Sequence, residues 1–115
     1  MKHLDLHATR QALLSGHTSP QEQAARSLDV ARSPSCAHVF LQLTPENLNQ
    51  AAQTPGMSHK PLAGLSVSIK DLFDVEGQVT AAGSLVLADA PPALRDCPAV
   101  ARLRAAGAGL IGRTN

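Results

Sequence analysis

The fold of this chain is decided by a short alternating stretch, LSVSIK, at residues 65–70 of the 115-residue sequence. Successive side chains of a strand point to opposite faces, so strict alternation of apolar and polar residues predicts a half-buried β-strand. The polar face ends with Lys70, and the apolar face carries Leu65, Val67 and Ile69. The sequence therefore predicts a strand that ends at a lysine.

A helix and a second strand are predicted after this strand. Residues 71–77 are predicted to turn, and Asp96 is placed to cap a helix that ends at Gly107. Leu110 and Ile111 begin a further strand. Strand, helix and strand in this order predict a parallel pair joined by a right-handed crossover, and hence an α/β fold with its strands inside a larger sheet.

The preceding region, residues 1–60, is predicted to be a mainly helical lead-in. Ser19 and Glu22 form a capping box with Pro20 at the first helical position, which predicts a helix start. Thr44 and Pro45 repeat this signal. The expected elements are helices over 4–14, 20–31 and 45–53 and a strand over 38–43.

Composition excludes two classes of protein. Hydrophobic residues make up 43% of the chain, charged residues 17%, and the formal net charge is +1. Such a chain is too apolar to be disordered and too balanced to bind nucleic acid electrostatically. Phe40 and Phe73 are the only aromatic residues besides histidines, so a base-stacking platform has almost nothing to be built from. No direct contact with nucleic acid is expected.

The cysteines and the N-terminal sequence indicate a cytoplasmic protein. Cys36 and Cys97 belong to no CxxC pair, which gives no support for a zinc knuckle or a disulfide framework. The N-terminus is charged and lacks an apolar h-region, and no apolar run approaches the roughly 20 residues that cross a bilayer. We therefore expect neither a signal peptide nor a membrane span.

The chain shows no repeat or linker that would divide it. We interpret residues 1–115 as part of one domain, with a lead-in at 1–60 and the strand-helix-strand unit at 61–115. The sequence stops at Asn115, directly after an apparent central strand, and such a strand normally requires a further element to cover the sheet. We therefore expect a truncated domain, with a complete small α/β module as the alternative.

Lys70 is the candidate functional residue. Most lysines at strand ends are solvated surface charges whose stems cover neighbouring apolar area. Burial changes this reading, since desolvation of an ammonium favours its neutral form, which can act as a general base. The alternating pattern alone leaves both interpretations open.

Two longer stretches resemble the N-terminal part of the amidase signature family. They are PLAGLSVSIKDLFDVEGQVTAAGS at 61–84 and DCPAVARLRAAGAGLIGRTN at 96–115. The resemblance rests on the Lys-Asp core, the TAAGS segment and the GRTN strand, in this order and at these distances. It implies an α/β/α sandwich with a mixed central sheet, of which this chain is the N-terminal part. Arg113 departs from the pattern, because the family more often has lysine there; the exchange is not neutral where a bidentate contact is involved.

The resemblance implies a Ser-cis-Ser-Lys triad in which Lys70 is the ultimate base, with no metal or cofactor. Both serines and the glycine- and serine-rich oxyanion loop lie, in relatives, after the GRTN strand. The chain alone is therefore expected to be inactive. Ser66 and Ser68 are interpreted as polar strand positions, since neighbouring side chains on one strand face lie about 6 to 7 Å apart.

Other patterns are interpreted as structural. His3 and His7 have helical spacing for two metal ligands but lack a recognisable third. Acidic residues before Gly77 resemble a calcium loop, yet the EF-hand register fails, and Asp71 is read as a partner near Lys70 or a turn former. The glycines at 107, 109 and 112 run from helix to strand, the reverse of a phosphate-binding loop. Cys97 is read as an ordinary first-turn residue.

These observations leave three hypotheses. The first is a stand-alone amidase acting on a small-molecule amide, monomeric or as a homo-oligomer. The second is the A subunit of a tRNA-dependent amidotransferase, which would release ammonia from glutamine beside its partner subunits. The third is an inactive fragment.

Overall fold

The alternating stretch forms a strand, β2, in a computed structural model that describes residues 4–56 and 58–115. The helices are α1 (Leu6–Ser15), α2 (Pro20–Ala31), α3 (Pro45–Gln53) and α4 (Pro98–Ala105), with a 3₁₀ turn at Pro34–Cys36. The strands are β1 (Phe40–Leu43), β2 (Ser66–Lys70) and β3 (Gly109–Thr114). None of the described helices is long and apolar enough to cross a membrane.

The three strands form one mixed sheet in the order β1-β3-β2. The central strand, β3, runs parallel to β2 and antiparallel to β1. The predicted strand-helix-strand unit is therefore confirmed, and its two strands are direct neighbours. The strand at the end of the lead-in, β1, joins the same sheet.

Helices cover both faces of the sheet. On one face, Ile111 of β3 packs in a cluster with Leu28 of α2 and Leu48 of α3. On the other face, Leu110 of β3 packs with Ile69 of β2 and with residues of α4 and its preceding loop. Adjacent residues of β3 thus enter opposite clusters, as the pleat of a strand requires. This arrangement confirms the expected α/β fold with a mixed sheet.

The start of α4 differs from the prediction. Cys97, not Asp96, occupies the N-cap, and its side chain makes no capping hydrogen bond. The Asp96 carboxylate instead accepts a hydrogen bond from the Glu76 backbone N–H at 2.8 Å and lies 2.7 Å from Arg104 Nε. The charge of the guanidinium favours this position of the carboxylate, and a loop amide takes the place of the helix amide.

Two strands are shorter than predicted because local turns use their first residues. The Val39 N–H donates to the Cys36 carbonyl, which keeps residues 38 and 39 in the turn that follows the 3₁₀ segment. The strand β1 therefore starts at Phe40. The Leu65 N–H likewise donates to the Leu62 carbonyl, and β2 starts one residue later. The two strands thus begin two residues and one residue later than predicted, which is the ordinary uncertainty of element ends.

Glycines of β3 lie where other chain segments approach closely. A Cβ on Gly109 would come within 2.6 Å of the Leu48 side chain, and a Cβ on Gly112 would collide with the Gln42 carbonyl oxygen. Glycine is therefore required at 112, where the approaching atom belongs to the backbone, whereas at 109 the end of the Leu48 side chain would have to move. This packing role fits the sequence interpretation that these glycines form no phosphate-binding loop.

Arg10 joins α1 to the loop that leads into β2. Its guanidinium donates to the carbonyl oxygens of Ser58 at 3.0 Å, Lys60 at 2.7 Å and Ala63 at 3.3 Å. One side chain therefore satisfies three backbone acceptors that lie outside any helix or strand. Such acceptors are costly to bury without a donor.

Replacing Arg10 by Met is expected to lower the free energy of unfolding by about 1–3 kcal/mol, because charged hydrogen bonds to part-buried carbonyls are lost. Urea unfolding measures the loss, and amide exchange at Leu62 and Leu65 locates it. The control is Arg32→Met, because that arginine is exposed and makes no side-chain hydrogen bond among the described residues. Equal stability of the two variants would contradict the proposed role of Arg10.

Candidate functional site

Lys70 lies at the carboxyl end of β2, opposite Thr114 of β3. Its side chain is exposed and borders a cavity of about 270 Å³. Among the described residues, Lys70 takes part in no ion pair. The cavity is lined by Lys70, Asp71, Leu72, Ala82, Gly83 and Asn115.

The cavity is open at the edge where two parallel strands end. Lys70 ends β2, and Asn115 follows β3 at the same edge, as parallel pairing dictates. In open α/β sheets, ligand sites form outside the carboxyl ends of the strands. The topology therefore places the sequence-predicted lysine where such folds bind their substrates.

One wall of the cavity, formed by Ala82 and Gly83, is a turn with left-handed backbone. Ala82 has a φ of 52° and Gly83 a φ of 73°, and the Ser84 N–H donates to the Ala81 carbonyl at 2.8 Å. A positive φ is uncommon for a residue with a Cβ and persists only where the surroundings hold it. This turn brings the TAAGS segment of the sequence against the end of β2.

A buried ion pair lies directly behind the cavity. Arg113 Nη2 donates to Asp71 Oδ1 at 2.8 Å, and the two residues are only 3% and 6% exposed. Of the two sequence interpretations of Asp71, the turn former agrees with its place in the turn after β2, whereas its carboxylate pairs with Arg113 of β3 and not with Lys70. Burial drives this choice, since a charge inside the protein requires a partner of opposite sign.

The Arg113 guanidinium also holds the loop after β2. Its Nη1 donates to the Phe73 carbonyl at 2.6 Å, and its Nη2 lies 3.2 Å from Thr80 Oγ1. The Ala81 N–H in turn donates to Asp71 Oδ1 at 3.3 Å. Arg113 therefore makes the kind of multiple contact for which lysine is a poor substitute. Sequence reasoning missed the pairing, although a lone charge within the apolar stretch GLIGRT marked the position.

The two serines of β2 lie outside the Lys70 cavity. Ser66 Oγ donates to Ser27 Oγ of α2 at 2.9 Å. Ser68 is exposed, and both serines line a separate cavity of about 430 Å³ beside α2. They occupy polar strand positions, as the sequence predicts.

The remaining polar candidates form no common site. His3 lies outside the described residues, and His7 is exposed on α1. Cys97 is half-buried and unpaired with Cys36. Within residues 4–56 and 58–115, no group of three or more His, Cys, Asp or Glu side chains is arranged to hold a metal ion.

Comparison with known sequences identifies relatives of two kinds. One is AtzE, a 1-carboxybiuret hydrolase subunit of Pseudomonas sp. strain ADP, 53% identical over 48% of this chain and 12% of its own length. The other is the A subunit of the glutamyl-tRNA(Gln) amidotransferase of Salinispora tropica, 36% identical over 87% of this chain and 22% of its own length. The chain thus spans less than a quarter of either relative.

Solved structures share the fold at a similar coverage. A structure from a vestigial protein complex that reveals the origins of an s-triazine catabolic enzyme superposes with a TM-score of 0.88 and 31% identity, over 97% of this chain and 26% of that one. The peptide amidase of Stenotrophomonas maltophilia superposes with a TM-score of 0.76 and 25% identity, over 98% of this chain and 25% of that one.

The sequence profile of the family described as Amidase matches residues 25–115. This range contains the whole sheet, the Lys70 cavity and the Asp71–Arg113 pair. It reaches further upstream than the two resembling stretches, through α2, β1 and α3. The chain is a member of the amidase family.

Proposed function

We propose that this chain supplies the catalytic lysine of an amidase that hydrolyses carbon–nitrogen amide bonds through a Ser-cis-Ser-Lys triad. The observation that carries the proposal is the position of Lys70, which ends β2 beside a cavity within the region matched by the amidase profile. The names of relatives support the reaction class, because they include a peptide amidase and a hydrolase subunit.

The topology is consistent with both serines coming from the chain segment that follows β3. Because β3 runs parallel to β2, residues that follow Asn115 in a complete enzyme leave the sheet at the edge that holds Lys70. A glycine- and serine-rich segment after β3 would reach the cavity without crossing the sheet. Lys70 and serines from that segment would then share one site.

In this proposal, the Lys70 amine accepts a proton from the bridging serine, which takes one from the nucleophilic serine. The nucleophile attacks the amide carbonyl, the amine leaves with a proton, and the acyl-enzyme forms. Water then attacks the ester and releases the acid. Backbone N–H groups of the same glycine-rich segment would stabilise the oxyanion. Lys70 is the triad member that this chain contributes.

A second candidate function is that of the A subunit of an amidotransferase. It is favoured by the 36% identity to such a protein over 87% of this chain, a wider match than the one to the hydrolase subunit. The same triad would then release ammonia from glutamine, and partner subunits would receive it. The two functions share the Lys70 chemistry and differ in substrate and assembly.

Replacing Lys70 by Ala in the enzyme expressed from its complete reading frame is expected to lower kcat/KM for amides by at least about 10³-fold, because triad members act as a unit. Lys60→Ala is the matched control, since Lys60 lies before β2 and outside the cavity. Steady-state kinetics on a chromogenic amide measure both variants. Unchanged turnover in Lys70→Ala would overturn the proposed base.

The two functions are separable by assembly and substrate. We expect the purified enzyme to hydrolyse simple amides without added subunits, because a stand-alone amidase needs no partner to supply or receive its substrate. Size-exclusion chromatography and a glutaminase assay provide the comparison. Co-purification of B and C subunits, with turnover confined to glutamine, would favour the amidotransferase instead.

The isolated 115 residues are expected to show no amide turnover, because they contain no serine within the Lys70 cavity. Their unfolding is expected to be weakly cooperative, since Leu85, Val86 and Leu94 are 93%, 89% and 94% exposed. Thermal unfolding and the chromogenic assay test both points. If the isolated chain did turn over the amide, and Lys70→Ala abolished that turnover, the nucleophile would lie within these residues. Ser66 and Ser68 would then be the first candidates.

A further inference from the structure

We propose that Arg113 is a positioning residue for the Lys70 site, because its guanidinium bonds to Asp71 of the cavity lining and to the chain segments next to two of the walls. The inference rests on the proposed amidase function and adds a residue that does not touch the reacting atoms. Arg113 is absent from the cavity lining and lies behind it, 3% exposed. Arg113 would affect catalysis indirectly, by fixing the positions of the chain segments that it contacts.

Each wall contains a residue of the Arg113–Asp71 pair, or lies within two residues of the pair or of a group that contacts it. The first wall, residues 70–72, contains Asp71 itself and is followed by Phe73, whose carbonyl accepts from Arg113. The second wall, residues 82 and 83, follows Thr80 and Ala81, which contact Arg113 and Asp71 respectively. The third wall, Asn115, lies two residues beyond Arg113, directly after the same strand.

The loop after β2 is also held by Val75, which is buried in the cluster around Leu110, and by the Asp71 N–H, which donates to the Thr114 carbonyl at 2.8 Å. Leu72 and Phe73 are 58% and 45% exposed, so their side chains give the loop little apolar anchorage. Ala82 keeps its left-handed backbone only while its surroundings fix it. The hydrogen bonds at the pair add direct links from Phe73, Thr80 and Ala81 to the buried charge pair. A planar guanidinium suits this task, since its donors point in fixed directions.

Displacement of the walls would change the distance between Lys70 and its serine partner. A misplacement of about 1 Å lowers the rate of an oriented reaction by about 10²-fold. We therefore expect the loss of Arg113 to act on kcat. Its stability effect is separate, because removal of one partner of a buried pair strands the other charge inside the protein, whereas removal of both does not.

The test uses the enzyme expressed from its complete reading frame and compares Arg113→Met, Arg113→Lys and the double variant Asp71→Leu/Arg113→Met. Arg113→Met is expected to lower both Tm and kcat, with kcat reduced about 10²-fold and KM changed less than about threefold. Arg113→Lys is expected to keep most of the Tm and to restore part of kcat. The double variant is expected to recover Tm while kcat stays low.

The matched control is Arg104→Met, which removes the other arginine–aspartate pair of the described residues, neither member of which lines the cavity. It is expected to leave kcat unchanged. Recovery of kcat together with Tm in the double variant would show a purely structural pair and overturn the inference. If Arg113→Met does not fold, the double variant and Arg113→Lys decide the same question.

Lys70→Ala separates this inference from the proposed function. Unchanged turnover in Lys70→Ala would remove the proposed function itself. Abolished turnover in Lys70→Ala, combined with parental kcat in Arg113→Met, would overturn only the positioning role of Arg113.

Discussion

The enclosure of β3 is the constraint on which the rest of this structure depends. Residues 109–113 of this strand are all buried, with helices over both faces and a strand along each edge. A guanidinium in such a place requires its charge and its donors to be matched within the protein. The carboxylate of Asp71 matches the charge, and it and the carbonyl of Phe73 accept from the two terminal nitrogens, whereas Nε has no hydrogen-bond partner among the described residues. These contacts join the loop after β2 to the sheet.

Much of this architecture follows from patterns that are local in sequence. The alternation over 65–70 depends only on the two-residue period of a strand, and Ile69 is buried while Lys70 is exposed at its end. The capping box at Ser19 is confirmed, since its hydroxyl accepts from the Glu22 N–H at 3.1 Å. Gly16, read as a helix stop, adopts the left-handed conformation at the C-cap of α1.

What the sequence did not reveal depends on contacts between distant residues. Asp71 and Arg113 are 42 positions apart, and neither carries a local signal for the other. Asp96 has the composition of a helix cap, yet the loop amide of Glu76, 20 positions away, takes its carboxylate. The Lys70 cavity belongs to the same class, since its walls come from three separated segments. The position of Lys70 at the end of a strand was predictable from the sequence, whereas the residues that surround it are known only from the fold.

The strand order also constrains when the sheet can appear during synthesis. Within the described residues, β1 and β2 pair only with β3, so neither forms these pairs until β3 has left the ribosome. At about 5–20 residues per second, roughly 2–9 s separate translation of Lys70 from that of Thr114. Through this interval the nascent chain carries two unpaired strand edges, which favour association with other chains. Phe40 of β1 packs against the cluster formed by α2 and α3, so these helices, complete by then, can shield the apolar side of that strand but not its edge.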